Sequence, residues 1–128
     1  MREAVKWYTR AAEGGHSNAQ FNLALCYKEG TGVAVDMREA VKWYTRAAEG
    51  GNSSAQYNLA LCYKEGTGVA VDMREAVKWY TRAAEGGDCD AQQSLATCYE
   101  KGTGVAVNER MAIFWRNRAA NASDAKIK

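Results

Sequence analysis

Residues 37–72 read MREAVKWYTRAAEGGNSSAQYNLALCYKEGTGVAVD, and residues 73–108 read MREAVKWYTRAAEGGDCDAQQSLATCYEKGTGVAVN. The two stretches differ at nine of 36 positions. Residues 1–36 differ from 37–72 only at His16/Asn52, Asn18/Ser54 and Phe21/Tyr57. The same interval of 36 separates Trp7, Trp43, Trp79 and Trp115, then Met1, Met37 and Met73, then Cys26, Cys62 and Cys98. A period of about 20–50 residues is the signature of a stacked repeat array. Cut at the methionines, the chain reads as one solenoid domain over 1–128. Its units are 1–36, 37–72 and 73–108, followed by a C-terminal capping helix at 109–121 and a tail at 122–128.

Each unit holds two helical patterns. In the first, Ala4, Val5, Trp7, Tyr8, Ala11 and Ala12 form one stripe at helical spacing. Asp36 and Glu39 offer a D-x-x-E start for its next copy. The Gly14–Gly15 pair ends it, because glycine tolerates the left-handed backbone common at helix ends. In the second pattern Ala19, Leu23, Ala24 and Tyr27 share a face, and Ser17–Gln20 and Ser53–Gln56 offer S-x-x-Q starts. In the third unit Cys89 replaces that serine, and Asp88 and Asp90 flank it as substitute caps. Gly30-Thr31-Gly32 stops the helix, and Val33 and Val35 are expected to tuck into the core. The spacing predicts seven helices, at 2–14, 18–30, 38–50, 54–66, 74–86, 90–102 and 110–121, and no strands. The fold class is therefore all-α, an array of helix-turn-helix units.

Composition agrees. The chain has 128 residues, 47% hydrophobic and 25% charged, close to ordinary globular usage, which excludes disorder and collagen-like structure. No apolar run approaches the roughly 20 residues of a membrane span. The net charge is +2. Residues 109–128 carry five cations against two anions, and the rest twelve against thirteen. Neither balance steers nucleic acid or anionic lipid, so neither is expected as a partner. The N-terminus opens directly into the repeat, so no signal peptide is expected.

Taken together, the motif Ala40, Trp43, Tyr44, Ala47, Ala48, Glu49, Gly51, Ala55, Gln56, Leu59, Tyr63, Gly66, Gly68, Val69 resembles the Sel-one-like repeat family. This is a branch of the tetratricopeptide superfamily with longer units. The resemblance covers nearly the whole chain, three times over. It departs at Ala24, Ala60 and Ala96, where the family usually has glycine, and alanine is small enough to keep close helix approach. The resemblance implies a right-handed superhelix with a concave groove, and a protein–protein scaffold.

Chemistry-bearing residues have plain readings. Cys26, Cys62 and Cys98 are equivalent positions on neighbouring helices, whose spacing of about 8–10 Å exceeds the reach of a disulfide. Cys89 and Cys98 lie nine residues apart along one helix and cannot pair. Four free thiols point to a reducing, cytoplasmic compartment. No C-x-x-C exists and His16 is the single histidine, so no metal site is expected. His16 aligns with Asn52 and Asp88, which suggests a helix-start role. Gly30-Thr31-Gly32 lacks the following Lys-Ser or Lys-Thr of a phosphate loop. The cationic stripe Arg2, Lys6, Arg10 and its copies reads as a solvated face with weak pairs to glutamates. No cofactor and no catalytic residue are expected.

In related tetratricopeptide scaffolds the groove lies on the helix carrying the Leu and Tyr signature. The resemblance then places groove positions at Asn18, Phe21, Leu25 and Lys28, with Glu29 beside them. They recur at Ser54, Tyr57, Leu61 and Lys64, and at Asp90, Gln93 and Thr97. Two of the three differences between the first two units, and five of the nine between the second and third, fall in this set or its flanks at Glu100 and Lys101. A peptide or partner helix suits such a groove. Relaxed sequence near the array's end is the alternative.

The ends read differently. Arg116 replaces the tyrosine of Tyr8, Tyr44 and Tyr80, which is expected to pack on the next hairpin, so 109–121 reads as a polar cap. Met111 and Phe114 replace Glu75 and Lys78 and form a candidate assembly patch, to be covered by the tail around Ile127 or by a second molecule. Met1 has no aspartate before it, which fits either lost upstream units or an abrupt start. Three functional classes follow. The leading one is a non-catalytic interaction scaffold, with weak end-to-end homo-oligomers. The others are a structural spacer or fragment of a longer array, natural or engineered, and a hydrolase related to cysteine-rich repeat proteins.

Overall fold

The computed structural model describes residues 2–127, with side chains over 2–121. The described residues form seven helices and no strand: α1 (Glu3–Glu13), α2 (Ser17–Glu29), α3 (Met37–Glu49), α4 (Ser53–Glu65), α5 (Met73–Glu85), α6 (Cys89–Lys101) and α7 (Glu109–Ile127). Their bounds fall within a residue of the expected ones, except that α7 continues to Ile127 as one helix. The tail around Ile127 therefore does not turn back over α7.

The helix starts are capped one residue earlier than the serine pattern suggests. Asn52 and Asp88 are the N-caps of α4 and α6, and their side chains accept from the Ala55 and Ala91 amides. His16 holds the same place before α2 without a side-chain cap. Asp36 and Asp72 cap α3 and α5 by accepting from Glu39 and Glu75. The glutamines of the S-x-x-Q pattern serve elsewhere. Gln20, Gln56 and Gln92 are buried, and each donates from Nε2 to a carbonyl of the preceding helix, Ala12, Ala48 or Ala84, at 3.0 Å. Each of those carbonyls also accepts the turn amide of Gly15, Gly51 or Gly87, so the glutamine adds a second bond that ties the two helices of a hairpin together.

One continuous core runs from Val5 to Trp115. Consecutive helices pack on one another along the chain, and each even-numbered helix packs more extensively on the odd-numbered helix after it than on the one before. Ala24, Ala60 and Ala96 are fully buried, so alanine does permit the close approach. Val33, Val69 and Val105 pack against the core, whereas Val35, Val71 and Val107 stand exposed beside the glycine loop, contrary to expectation for Val35. Gly68 shows why the loop needs glycine. Its φ is +77°, and a Cβ there would lie 2.4 Å from the Met37 carbonyl oxygen. The loop after α4 is thus pressed onto the start of α3.

The packing order explains the tryptophans. Trp43 is 4% exposed on α3, which packs on both α2 and α4, while Trp7, in an identical local sequence, is 60% exposed on α1, which among the described residues packs extensively on α2 alone. Around Trp43 the stripe makes the expected weak pair, Lys42 with Glu39 at 3.8 Å, and beyond that expectation Lys42 and Arg46 sit over the ring at 5.0 and 4.9 Å.

Candidate functional site

The groove positions lie together on one face, carried by α2, α4 and α6. Phe21, Leu25, Tyr57, Leu61 and Thr97 are half-buried there, and Asn18, Lys28, Ser54, Lys64, Asp90 and Gln93 are exposed. The geometry follows from helical spacing: Leu23, Leu59 and Leu95 point into the core and are fully buried, while residues two positions away on either side turn outward.

The aromatic members also tie units together. Phe21 meets Tyr44 with ring centroids 6.0 Å apart, and Tyr57 meets Tyr80 at 5.9 Å, both tilted. Tyr44 and Tyr80 therefore pack on the preceding hairpin and on the second helix of their own, not on the following hairpin as expected. A period in the sequence repeats in both directions and does not show which neighbour a side chain faces. At the third junction Gln93 and Arg116 stand in the aromatic positions, and Arg116 pairs with Glu100, which stands where Lys28 and Lys64 do. Two of the third unit's groove differences, Gln93 and Glu100, thus face α7.

Between successive units the face sinks into pockets at the same period. One, of about 110 Å³, lies among Lys28, Tyr44, Asn58, Leu61 and Glu65. The next, of about 220 Å³, lies among Lys64, Tyr80, Ser94, Thr97 and Lys101. A wider hollow of about 340 Å³ beside Tyr8, Leu25 and Glu29 opens at the first unit. Tyr44 and Tyr80 are each 1% exposed, and neither hydroxyl has a hydrogen-bond partner. Burial holds both phenols far above their ordinary value, with nearby Cys62 and Tyr57 adding to it respectively. Burial likewise raises the thiols of Cys26, Cys62 and Cys98, against a lowering influence of Lys28 on Cys62 and of Lys64 on Cys98. All four cysteines are free, and the three at the repeat period are buried. No cluster of metal-ligating side chains occurs among the described residues.

The candidate assembly patch differs from its expectation. Met111 is half-buried against the core. Phe114, 45% exposed, packs edge-on against Trp115 at 4.9 Å, and Arg118 lies 5.6 Å from its ring. It thus fills the place that Lys42 and Lys78 occupy beside the earlier tryptophans. The apolar residue left open is Ile113, 59% exposed. Its counterparts Val41 and Val77 are covered by the Gly68 and Gly104 loops. Aligning Ile113 with those valines would have found it.

The Sel1 repeat family model matches residues 1–16, 17–52, 53–88 and 89–124. The chain belongs to the Sel1 repeat family. Its repeat is the 36-residue period cut before each even-numbered helix, so that α2 with α3 and α4 with α5, the more extensively packed pairs, form single units. Sel1 repeats are commonly protein-interaction scaffolds. Among solved structures, a protective antigen of uropathogenic Escherichia coli with this repeat fold is 45% identical over 91% of the chain, at a TM-score of 0.86. A Sel1 repeat protein from Oxalobacter formigenes is 39% identical over 92%, at 0.84. The chain spans 25% and 49% of those two proteins. Helicobacter pylori cysteine rich protein B shares the fold at 22% identity, with a TM-score of 0.72 over 94% of the chain and 86% of its own length. No curated protein sequence matches. Among the described residues of this Sel1 chain, no helix is long and apolar enough to cross a membrane.

Proposed function

We propose that this Sel1 chain is a non-catalytic scaffold that binds a peptide or partner helix along its α2–α4–α6 face. The observation that carries the reading is the half-buried apolar row Phe21, Leu25, Tyr57 and Leu61, bordered by exposed Lys28 and Lys64 and backed by the continuous core. Apolar side chains between charged margins suit an amphipathic or extended segment. The buried thiols favour this over a hydrolase, because burial raises their pKa and a nucleophilic thiolate needs the opposite. Their free state fits a reducing compartment. Capture of partners by wild type, by a Tyr57→Ser/Leu61→Ser variant and by Lys64→Glu tests the face. Binding falls in both variants while the helical circular-dichroism signal stays. Binding that survives both rejects the groove.

A second reading, a section of a longer array, is favoured by the open Trp7 face. Fusing a copy of residues 17–36 ahead of Met1 is expected to bury Trp7, blue-shift its fluorescence and raise the melting temperature. Unchanged fluorescence rejects it.

A further inference from the structure

The two inner pockets are built from equivalent positions, so their differences can be read one by one. Around Tyr44 the charged side chains are Lys28 and Glu65, which cancel. Around Tyr80 they are Lys64 and Lys101, which add. Three of the nine differences between the second and third units fall in this one pocket: Ser94 for Asn58, Thr97 for Leu61 and Lys101 for Glu65. The two smaller side chains accompany the growth in volume from about 110 to about 220 Å³. They also replace an amide and an apolar chain by hydroxyls. With Thr103, three aliphatic hydroxyls and the Tyr80 phenol now surround the space.

Other groups support the same polarity. The Tyr80 hydroxyl is buried and unpartnered, a donor that costs free energy until something accepts from it. Ser94 lies near enough to favour its ionised form, yet completes no hydrogen bond to it. The Lys64 ammonium acts on the Cys98 thiol with no opposing carboxylate, whereas Cys62 feels both Lys28 and Glu65. The carboxylates nearby are Glu65, whose charge reaches the Tyr80 hydroxyl, and Asp90 and Asp88, whose charges reach the adjoining Tyr57 hydroxyl, and none of them lines the pocket; Glu100 is paired with Arg116.

We propose that the Tyr80 pocket is an anion site of the binding face, taking an acidic side chain of a bound peptide between Lys64 and Lys101 with the hydroxyls of Tyr80 and Ser94 as donors, while the Thr97 hydroxyl donates to the Gln93 carbonyl. The inference rests on the peptide-binding reading and assigns that face a direction. An acidic residue sits at the third unit, and uncharged or apolar residues sit against the first two. A carboxylate and a phosphate present the same oxygen acceptors, and the experiment separates them.

Three blocked pentapeptides, alanine except for a central Glu, phosphoserine or Gln, serve as probes in a nuclear magnetic resonance titration of the full chain. Expected are saturable amide shifts at Ser94, Thr97 and Lys101 with the Glu or phosphoserine peptide, and silence at Asn58, Leu61 and Glu65. The stronger of the two identifies the physiological anion. Lys101→Glu, which restores the residue of the second unit, is expected to weaken binding about tenfold or more. Tyr80→Phe keeps the fold and weakens binding several-fold. The triple variant Asn58→Ser, Leu61→Thr, Glu65→Lys is expected to gain shifts around Tyr44. Equal response at both pockets, no response to the anionic peptides, or indifference to Lys101→Glu overturns the site. If the Gln peptide binds as well as the Glu peptide, the anion site fails while the peptide-binding face stands.

Discussion

Gly51 and Gly68 share a left-handed backbone but not an environment. A Cβ at Gly51 meets nothing within 4 Å, so Gly51→Ala costs only the backbone strain, about 1–2 kcal/mol. At Gly68 the same strain is joined by a clash with the Met37 carbonyl, an atom that cannot move alone. Gly68→Ala is expected to lower the urea midpoint clearly more than Gly51→Ala; equal effects would mean the loop is not pressed onto α3. Alkali is a second probe at this scale. Burial raises the thiols of Cys26, Cys62 and Cys98 from 9.0, and the phenols of Tyr44 and Tyr80 from 10.0. Above those ordinary values the unfolded chain releases protons that the folded chain keeps, so it binds fewer and stability falls as pH rises. Below about pH 8 these groups are neutral in both states and their contribution is complete. Urea midpoints from pH 7 to 11 are expected to decline above about 9, and Tyr44→Phe/Tyr80→Phe is expected to flatten the part above about 10. Iodoacetamide at neutral pH should modify half-buried Cys89 first, with the other three reacting only on unfolding.

The helices repeat their starts, except that α1 and α2 have no side-chain cap. Asn52 and Asp88 cap α4 and α6, but His16 leaves the first amides of α2 without a side-chain acceptor. His16→Asp copies the third unit and is expected to stabilise by about 0.5–2 kcal/mol, with Asp88→Ala losing a similar amount. Thermal melts of the two variants check both signs. This is also the scale at which the sequence was most legible. Apolar stripes at helical spacing, glycine pairs and repeated acids place all seven helices within a residue, apart from the longer end of α7. Capping was harder to read, because Asn52 and Ser53 are adjacent candidate caps and only the backbone decides which residue lies outside the helix. The buried glutamines were misassigned for a related reason, since their acceptors sit eight residues back, across a turn.

Identical sequence in different surroundings separates packing from propensity across the whole molecule. Trp43→Ala removes a buried ring and is expected to cost about 3–5 kcal/mol, whereas Trp7→Ala is expected to change stability by less than about 1 kcal/mol. Denaturation curves of the pair check this; equal losses would mean that Trp7 is covered in solution. Such comparisons were invisible before the structure. The groove positions could be aligned residue by residue, but the pockets join Lys28 and Lys64 to the next unit's tyrosine, and one unit's sequence does not show what the neighbouring unit supplies. The same blindness affects the chain as it folds. Helices α3 and α5 are one identical 13-residue peptide, MREAVKWYTRAAE. A refolding α2 therefore has two chemically indistinguishable seats. Docking on α5 instead of α3 lengthens the closed loop from seven residues, 30–36, to 43 residues, 30–72. By loop-closure entropy that adds only about 1.6 kcal/mol before the stranded α4 is counted. The α3 of another molecule is an equally good seat. Refolding at high concentration should thus pass through kinetically trapped, misthreaded and exchanged species that carry native interfaces between the wrong neighbours.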